Sequence, residues 1–455
     1  MTEKALAVMI ARDVSKAGGR TYYVGGCVRD MLLGAESKDI DIEVHGIAPQ
    51  SLHDILGRYG HIKTQGASFG VLNIKGYHLD IAQPRKEHAN GRGHKDFEVY
   101  VDPYIGTKEA AKRRDFTVNA MMQDVLTKKV IDHYGGMNDM KHRIIRHVDD
   151  TTFAEDPLRV LRAAQFAARF QFSVAEETKG LCANMDIREL PRERIGEEMT
   201  KALLKSDKPS IFLRVLNETG HLHEWFPEIQ ALVGVRQDPV HHPEGDAFEH
   251  TMNVLDMAAE RKTHLRDAAH QLSFMLAALC HDIGKPIATK EADGKIHAIG
   301  HQMMGIEPAR DLLRRIYNNK SIERYVLNMV QKHMDPLHLY NNGSHVKKYM
   351  HMFDSSVCPE DLIELSYCDF MGKGDLSDIE GAEAKRQREL EMLTIYRERM
   401  SMEYVTGYDL IEMGYKPGRR MKDIKDFAHK LQLAGITKDE AFRHIRGMYR
   451  PDVLP

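Results

Sequence analysis

The sequence predicts an α+β protein in which an opening sheet domain is followed by an almost wholly helical remainder. Three observations carry that expectation. From Thr21 to about Val148, short apolar runs such as TYYVGG, DIDIEV, VLNIKG and YHLDIA alternate with glycine-marked turns, as strands in a sheet with a few helices would. From about Asp150, helical periods take over in DPLRVLRAAQFAARF, RERIGEEMTKALL and PSIFLRVLNETG, the last with a glycine stop. At 455 residues the chain is also long enough for three or four domains, each with its own core.

In chain order, MTEKALAVMIARDVSKAGG has Leu6, Met9, Ile10 and Val14 spaced for an amphipathic helix ended by Gly18 and Gly19. Its interspersed charges fit neither a signal peptide nor a membrane span. The helical half is broken at QDPVHHPEGD, restarts near Ala247, and ends in a charged helix, IEGAEAKRQRELEMLTIYRERM, and a tail. Soft boundaries therefore divide residues 1–148, 149–235, 236–375 and 376–455. With 64 basic and 67 acidic residues, overall charge neither announces nor excludes a nucleic-acid partner. Cys27, Cys182, Cys280, Cys358 and Cys368 are scattered and form no CxxC pair, which predicts a cytoplasmic protein without a disulfide framework or zinc knuckle.

The first chemical constellation is YYVGGCVRDMLLGAESKDIDIEV. A strand enters the Gly25-Gly26 turn, a short helix follows, and a second strand carries Asp39 and Asp41. Residues two apart on a strand share a face, so these carboxylates can hold divalent metal together. Backbone N–H groups at the glycines and the fork of Arg29 suit a triphosphate. A DxD pair alone is more often solvated than catalytic; the whole stretch is far more specific. Asp80, in YHLDIAQPR, is a candidate third carboxylate that could deprotonate an attacking hydroxyl, with an ordinary edge-strand aspartate as the alternative. AAKRRDFTVNAM sets Arg113, Arg114, Asp115 and Asn119 at the predicted start of an apolar helix, where they could grip phosphates and a ribose hydroxyl or simply cap the helix.

Together, VGGCVRDMLLG with KDIDIEV, RRDFTVNA, EDPLRVLRAAQFAARF and LPRERIGEE resemble, in order and spacing, the class II CCA-adding enzymes and bacterial poly(A) polymerases of the DNA polymerase β superfamily. The resemblance spans roughly the first 235 residues. It implies a polymerase-β-like nucleotidyltransferase domain at 1–148 and a nucleotide-recognising helical region at 149–235. Asp39 and Asp41 would be the catalytic Mg²⁺ ligands, and Gly25, Gly26 and Arg29 triphosphate contacts. Arg113, Arg114, Asp115, Asn119 and Arg194 would contact the incoming nucleotide, with tRNA, CTP and ATP as partners.

The family's base-reading motif corresponds to Glu155-Asp156-Pro157-Leu158-Arg159. A carboxylate accepts and a guanidinium donates, so Asp156 and Arg159 on one helix face could satisfy cytosine and adenine, which both pair an amino donor with a ring-nitrogen acceptor. Uracil and guanine would leave those groups unpaired. Between these motifs, the loop KEHANGRGHKDFEVYVDP is hard to read as regular structure; its full length, by the resemblance, favours complete CCA addition over CC addition.

A second constellation reads H…HD…H…H…D: His250, His281, Asp282, His301, His333 and Asp369. A histidine on an apolar helix is usually a core residue, but imidazoles and carboxylates from several helices of a bundle are how such folds hold catalytic divalent metals. The order, with HDIGKP its most diagnostic piece, resembles the HD superfamily. That resemblance implies a phosphohydrolase domain at 236–375, with His250, His281, Asp282 and Asp369 as metal ligands. His301 and His333 would serve a second metal or the phosphate, and Mn²⁺, Ni²⁺ or Co²⁺ would suit such donors. An HD domain joined to a CCA-adding core is known in that family, with phosphatase and cyclic phosphodiesterase activities. The tail at 376–455, including KPGRR, would touch tRNA or form a solvated turn. Two alternatives compete: a poly(A) polymerase, against which HDIGKP argues, and a hydrolase that uses the first domain only to bind tRNA, against which intact Asp39 and Asp41 argue.

Overall fold

The computed structural model describes residues 1–35, 39–65, 71–89, 97–292, 294–374 and 378–451. The chain folds as two units, Met1–Trp225 and Phe226–Pro455.

In the first unit, Thr2 caps helix α1 (Glu3–Lys16), which buries Leu6, Ile10 and Val14. The sheet strands are β1 (Arg20–Val24), β2 (Ile40–His45), β3 (Ile62–Gln65), β4 (Val71–Ile74) and β5 (Leu79–Ala82), with helix α2 (Gly26–Leu32) between β1 and β2. A hairpin of β6 (Arg85–Ala89) and β7 (Phe97–Val101) follows, then helix α3 (Thr107–Lys112) and strands β8 (Met122–Asp124) and β9 (Val130–Ile131). The seven-stranded sheet has the order β3-β4-β5-β2-β1-β8-β9, and only the β2–β5 pair is parallel. Alternation along β2 puts Ile40, Ile42 and Val44 in one core with Leu6, Ile10, Val14, Leu79 and Ile81, and so sends Asp41 and Glu43 to the opposite face. Each fully buried aliphatic side chain contributes about 1.5–3 kcal/mol to holding that orientation.

The apolar helix expected to begin at the RRD segment does not form. Helix α3 ends at Lys112, and after Asp115 there is only a 3₁₀ turn over Thr117–Asn119 before β8. Local bonds displace the helix: Asp115 accepts from the Phe116 N–H at 2.8 Å, and the Thr117 hydroxyl donates to Asp139 at 2.7 Å. Phe116 instead bridges His147 in antiparallel fashion. Gly136 is required behind this turn, because a Cβ there would lie 2.2 Å from the Thr117 carbonyl oxygen. The two ends of the KEHANGRGHKDFEVYVDP loop are also more regular than expected, forming β6 and β7; residues 90–96 lie outside the described residues.

Beyond Asp150 the fold is helical, as expected, apart from short strands at Ser173–Val174, Lys290–Ala292 and Lys295–His297. The first unit continues with α4 (Leu158–Phe170) and α5 (Arg192–Lys205). The second contains α6 (Ala247–Arg261), α7 (Ala268–Cys280), α8 (His301–Met304), α9 (Lys320–Lys332) and α10 (Pro359–Met371). Every residue of α7 from Ser273 to Cys280 is buried, the mark of a helix surrounded by others. A long helix, Ile379–Ser401, leads to a three-helix tail with its own core of Leu410, Tyr415, Ile424, Ala428 and Ile445. No helix among the described residues is long and apolar enough to cross a membrane.

Candidate active sites

In the first unit, β1 runs into Gly25, whose φ of 71° starts α2 and brings the turn beside Arg114 and Asp41. Asp41 pairs in register with Asp80 on β5, so these carboxylates share the sheet face away from the core, and Asp39 sits at the entrance to β2. Asn73 on β4 donates to Asp80 and orients it. Burial, followed by the charge of Asp80, pushes the Asp41 carboxyl up to about 6; Arg114 opposes this and Asp39 adds to it. Asp39, Asp41 and Asp80 line one cavity, where a divalent cation would offset their mutual repulsion.

Facing them is a cavity of ≈ 780 Å³ lined by Gly25, Gly26, Asp39 and Asp41 on the sheet side. Its other wall carries Arg162, Gln165, Phe166 and Arg169 from α4 and Lys201 and Lys205 from α5. Arg29, Arg114, Asp115 and Asn119 line the same cavity, so it combines carboxylates that could hold metal ions with cations that suit a triphosphate.

The remaining predicted residues hold the walls together. The Arg29 guanidinium is buried, donates to Asp30 at 2.6–2.8 Å and to Asn119 at 2.5 Å, and packs over Phe170 at 4.5 Å. Asn119 donates to Asp115 at 3.0 Å, and Asp115 also takes the Arg162 fork at 2.9 Å. Burial is the largest single influence on the Asp115 carboxyl and would raise it, but the Arg162 charge, the hydrogen bonds from Asn119 and Arg162 and the Arg159 charge together hold it below the usual carboxylate range. Arg29, Asn119, Asp115 and Arg162 thus form one chain from the glycine turn to α4. Arg114 pairs with Glu43 at 3.4 Å, and the Arg113 carbonyl accepts from Arg159 at 2.8 Å.

Asp156 and Arg159 are not brought to the cavity together. Asp156 lies in the turn before α4, where it accepts from the Leu158 N–H at 3.0 Å, rather than on the helix face expected of it. Arg159 donates to the carbonyls of Thr152 and Arg113. Arg194, on α5, pairs with Glu197 at 3.0 Å and is partly exposed. The cavity residues of α4 and α5 were missed because RAAQFAARF and MTKALLK read simply as amphipathic helices.

Asp41 gives a pH prediction. Its folded value of about 6 exceeds the ordinary 3.8, so its charge burdens the metal-free fold above about pH 6 and vanishes as pH falls toward 4. In melting curves with chelator, Asp41→Asn should therefore raise the melting temperature at pH 8 and leave it unchanged at pH 4. An equal shift at both would contradict the assignment.

In the second unit, five helix ends converge. His250 is on α6, His281-Asp282 follows α7, His301 begins α8, His333 follows α9 and Asp369 lies near the end of α10. His250 Nε2 is 2.9 Å from Asp369, His301 Nε2 is 3.1 Å from Asp282, and His281 Nε2 is 3.2 Å from Asp282. The Nδ1 atoms of His281, His301 and His333 point at the carbonyls of Ala278, Ala298 and Val330 at 2.7–2.8 Å. Because a carbonyl only accepts, each Nδ1 carries the proton and each Nε2 lone pair faces the centre. The fully buried His281 Nε2 has no hydrogen-bond partner, and the Nε2 atoms of His301 and His333 approach to 3.1 Å, which repels unless a proton or metal cation lies between them. His250–His281–Asp369 and Asp282–His301–His333 each gather donor atoms closely enough for one ion. All six predicted residues are therefore together.

Their supports were not foreseen. Glu244, in the stretch read as a break, accepts from the Nδ1 atoms of His250 at 2.7 Å and His242 at 2.8 Å, which orients His250 as a ligand. Lys285 reaches Asp282 at 2.5 Å. Burial would raise Asp282 and Asp369, but chiefly the Lys285 charge for the first and the hydrogen bond to His250 for the second hold both carboxyls well below the usual range. Gly284 lets α8 dock, since a Cβ there would lie 2.1 Å from the His301 carbonyl oxygen. The cluster opens into a cavity of ≈ 350 Å³ whose lining sets Arg236, Lys285 and Lys373, which could meet an anionic ligand, beside Asp238, Asp282 and Asp369.

Three segments of the chain match known protein families. Residues 21–146 match the “Poly A polymerase head domain”, 171–232 the “Probable RNA and SrmB- binding site of polymerase A” and 247–364 the “HD domain”. A “Multifunctional CCA protein” of Actinobacillus pleuropneumoniae serotype 5b is 37% identical over 319 residues, covering 69% of this chain and 74% of the relative. The chain belongs to the multifunctional CCA protein family. A Xylella fastidiosa (strain 9a5c) member is 35% identical over 355 residues, covering 76% of this chain and 82% of its own. Of solved structures, the Thermotoga maritima CCA-adding enzyme complexed with tRNA_CCA matches with a TM-score of 0.65 at 19% identity, covering 98% of this chain and 95% of that one. A CCA-adding enzyme complexed with ATP matches with a TM-score of 0.67 at 20% identity, covering 99% and 95%. The likeness to the solved structures establishes the shared fold. As a nucleotidyltransferase family member with an HD domain, the chain is expected to depend on divalent metal in both domains.

Proposed function

We propose that this chain adds C, C and A to the 3′ end of tRNA from CTP and ATP without a nucleic-acid template. The observation that carries this reading is one cavity lined both by Asp39 and Asp41, from the segment that matches a polymerase head domain, and by Arg162, Arg169, Lys201 and Lys205 from the helices that follow it. Mg²⁺ held by Asp39 and Asp41 would supply charge neutralisation at the attacking and leaving oxygens. Asp80, fixed by Asn73, would draw the proton from the tRNA 3′ hydroxyl. Gly25 and Gly26 let backbone N–H groups approach the triphosphate, and Arg114 stands beside the turn. Arg29, Asp115 and Asn119 hold this turn to α4, and Arg113 and Arg194 complete the nucleotide-binding set. A cytoplasmic setting fits a tRNA substrate and five free cysteines. We place the nucleotidyltransferase, nucleotide-recognition, HD and tail regions at 1–148, 149–235, 236–375 and 376–455.

Base choice is assigned to Asp156 and Arg159, which must leave their present backbone partners when a nucleotide enters. Arg159→Ala should cost about 1–3 kcal/mol of discrimination and let UTP or GTP compete. Incorporation of each labelled nucleotide singly, by wild type and variant, tests this. If the variant slows CTP and ATP alike with selectivity intact, base recognition lies elsewhere and the tie to Thr152 and Arg113 is its whole role.

The HD cluster is proposed to hydrolyse phosphomonoesters or 2′,3′-cyclic phosphodiesters with Mn²⁺, Ni²⁺ or Co²⁺, ions suited to mixed imidazole and carboxylate donors. Lys285, His242 and Lys373 at its mouth would receive the phosphate charge.

A further inference from the structure

Away from both sites, the amino-terminal parts of three HD-domain helices meet at a cluster of sulfur, nitrogen and oxygen. His270 lies in the first turn of α7, Asp361 in the first turn of α10, Cys358 caps α10, and Tyr325 is on α9. His270 Nε2 is 2.5 Å from Asp361 Oδ2, and the Tyr325 hydroxyl donates to the same oxygen. The His270 and Tyr325 rings stand edge to face with centroids 5.9 Å apart. The Asp361 carboxylate is 3% exposed, and the buried Nδ1 of His270 has no hydrogen-bond partner. The Cys358 thiol faces Glu360 at 3.7 Å, and one donor atom from each of His270, Cys358 and Asp361 lies within 4.8 Å of the others.

We propose that Cys358, His270 and Asp361 form a further, thiolate-containing site for a divalent metal, with zinc the ion its donors favour. A thiolate and a carboxylate together neutralise a dication, a neutral imidazole completes three protein ligands, and a fourth position remains for water. Tyr325 then serves as the hydrogen-bond donor that orients the ligating carboxylate. Cys358 and His270 are only partly buried, which leaves the ion a route in. The HD set contains no sulfur, so the two sites differ in the metal they select. The position also has a structural consequence. Along α7 and α10 this site lies about 16 and 12 Å from His281 and Asp369, and Tyr325 precedes His333 by about 12 Å on α9. A metal here would clamp one end of the helices whose other ends deliver the HD ligands.

Cobalt provides the test, because only thiolate ligation gives an intense charge-transfer absorption in the near ultraviolet. Metal-stripped, full-length protein titrated with Co²⁺ should develop that band with a final amplitude that corresponds to one thiolate ligand per chain, lose it when Zn²⁺ is added, and lack it as Cys358→Ser. In the metal-free state the same variant should keep the wild-type far-ultraviolet circular dichroism and melting midpoint, which shows that its second unit has folded. Tyr325→Phe, which removes the hydrogen bond to the ligating carboxylate, should weaken the cobalt affinity about 10–100-fold. In wild-type protein, bound Zn²⁺ should slow alkylation of Cys358, followed by mass spectrometry. The proposal is overturned by the absence of a band in wild type, by a band that survives Cys358→Ser, or by alkylation that Zn²⁺ leaves unchanged.

Discussion

Asp41→Ala is expected to lower nucleotide addition on the order of 10³-fold or more, equivalent to about 4 kcal/mol of lost transition-state stabilisation. Asp41 lies between Asp39 and Asp80 on the sheet face opposite the core, so its removal takes away metal binding without opening a cavity. Asp39→Ala should fall in the same way. The basic residues of α4 and α5 are untouched by either change, so both variants should still shift tRNA in a gel. Single-turnover incorporation of labelled CTP decides the matter. Activity within about tenfold of wild type in either variant would contradict a two-carboxylate metal site.

His281→Ala combined with Asp282→Ala is expected to abolish phosphate-ester hydrolysis and leave nucleotide addition near its wild-type rate. The two residues contribute a donor to each of the metal-suited groups, His250–His281–Asp369 and Asp282–His301–His333, so neither group survives the double change. The nucleotidyltransferase residues belong to the other folding unit. The metal profiles should also separate, with Mg²⁺ best for addition and Mn²⁺, Ni²⁺ or Co²⁺ best for hydrolysis. Both side chains are buried beside the apolar α7, so a melting curve must accompany the assay. Hydrolysis that persists in the double variant, or that wild type lacks across all these ions, would remove the hydrolase from this account.

The parts of these sites legible in the sequence are those tied to a period. Alternation in DIDIEV separates Ile40 and Ile42 from Asp41, and the glycine turn marks where β1 ends, so the residue pattern alone puts the carboxylates on one face. The candidate ligands His250, His281 and Asp369 are legible because His250 and Asp369 stand within largely apolar helices and His281 ends one, groups that such helices do not need. What escapes a reading of the sequence depends on contacts distant in the chain. The RRD segment has the composition of a helix start, yet bonds to Asp139, His147 and Arg162 turn it into an irregular elbow. Glu244 and His242 lie in a proline- and histidine-rich stretch that looks like a linker, and only the fold brings them to His250. Arg162, Gln165 and Arg169 follow the helical spacing that any amphipathic surface would show. Their position on the cavity wall depends on where α4 packs.

The most direct measurement of the central claim is the sequence of the product made from tRNA that ends at its discriminator base, with all four nucleoside triphosphates present. The account predicts extension by C, C and A, in that order, followed by a stop, and only two added C residues when ATP is left out. A homopolymeric A tail of variable length, or no extension while the HD domain hydrolyses phosphate esters normally, would contradict it.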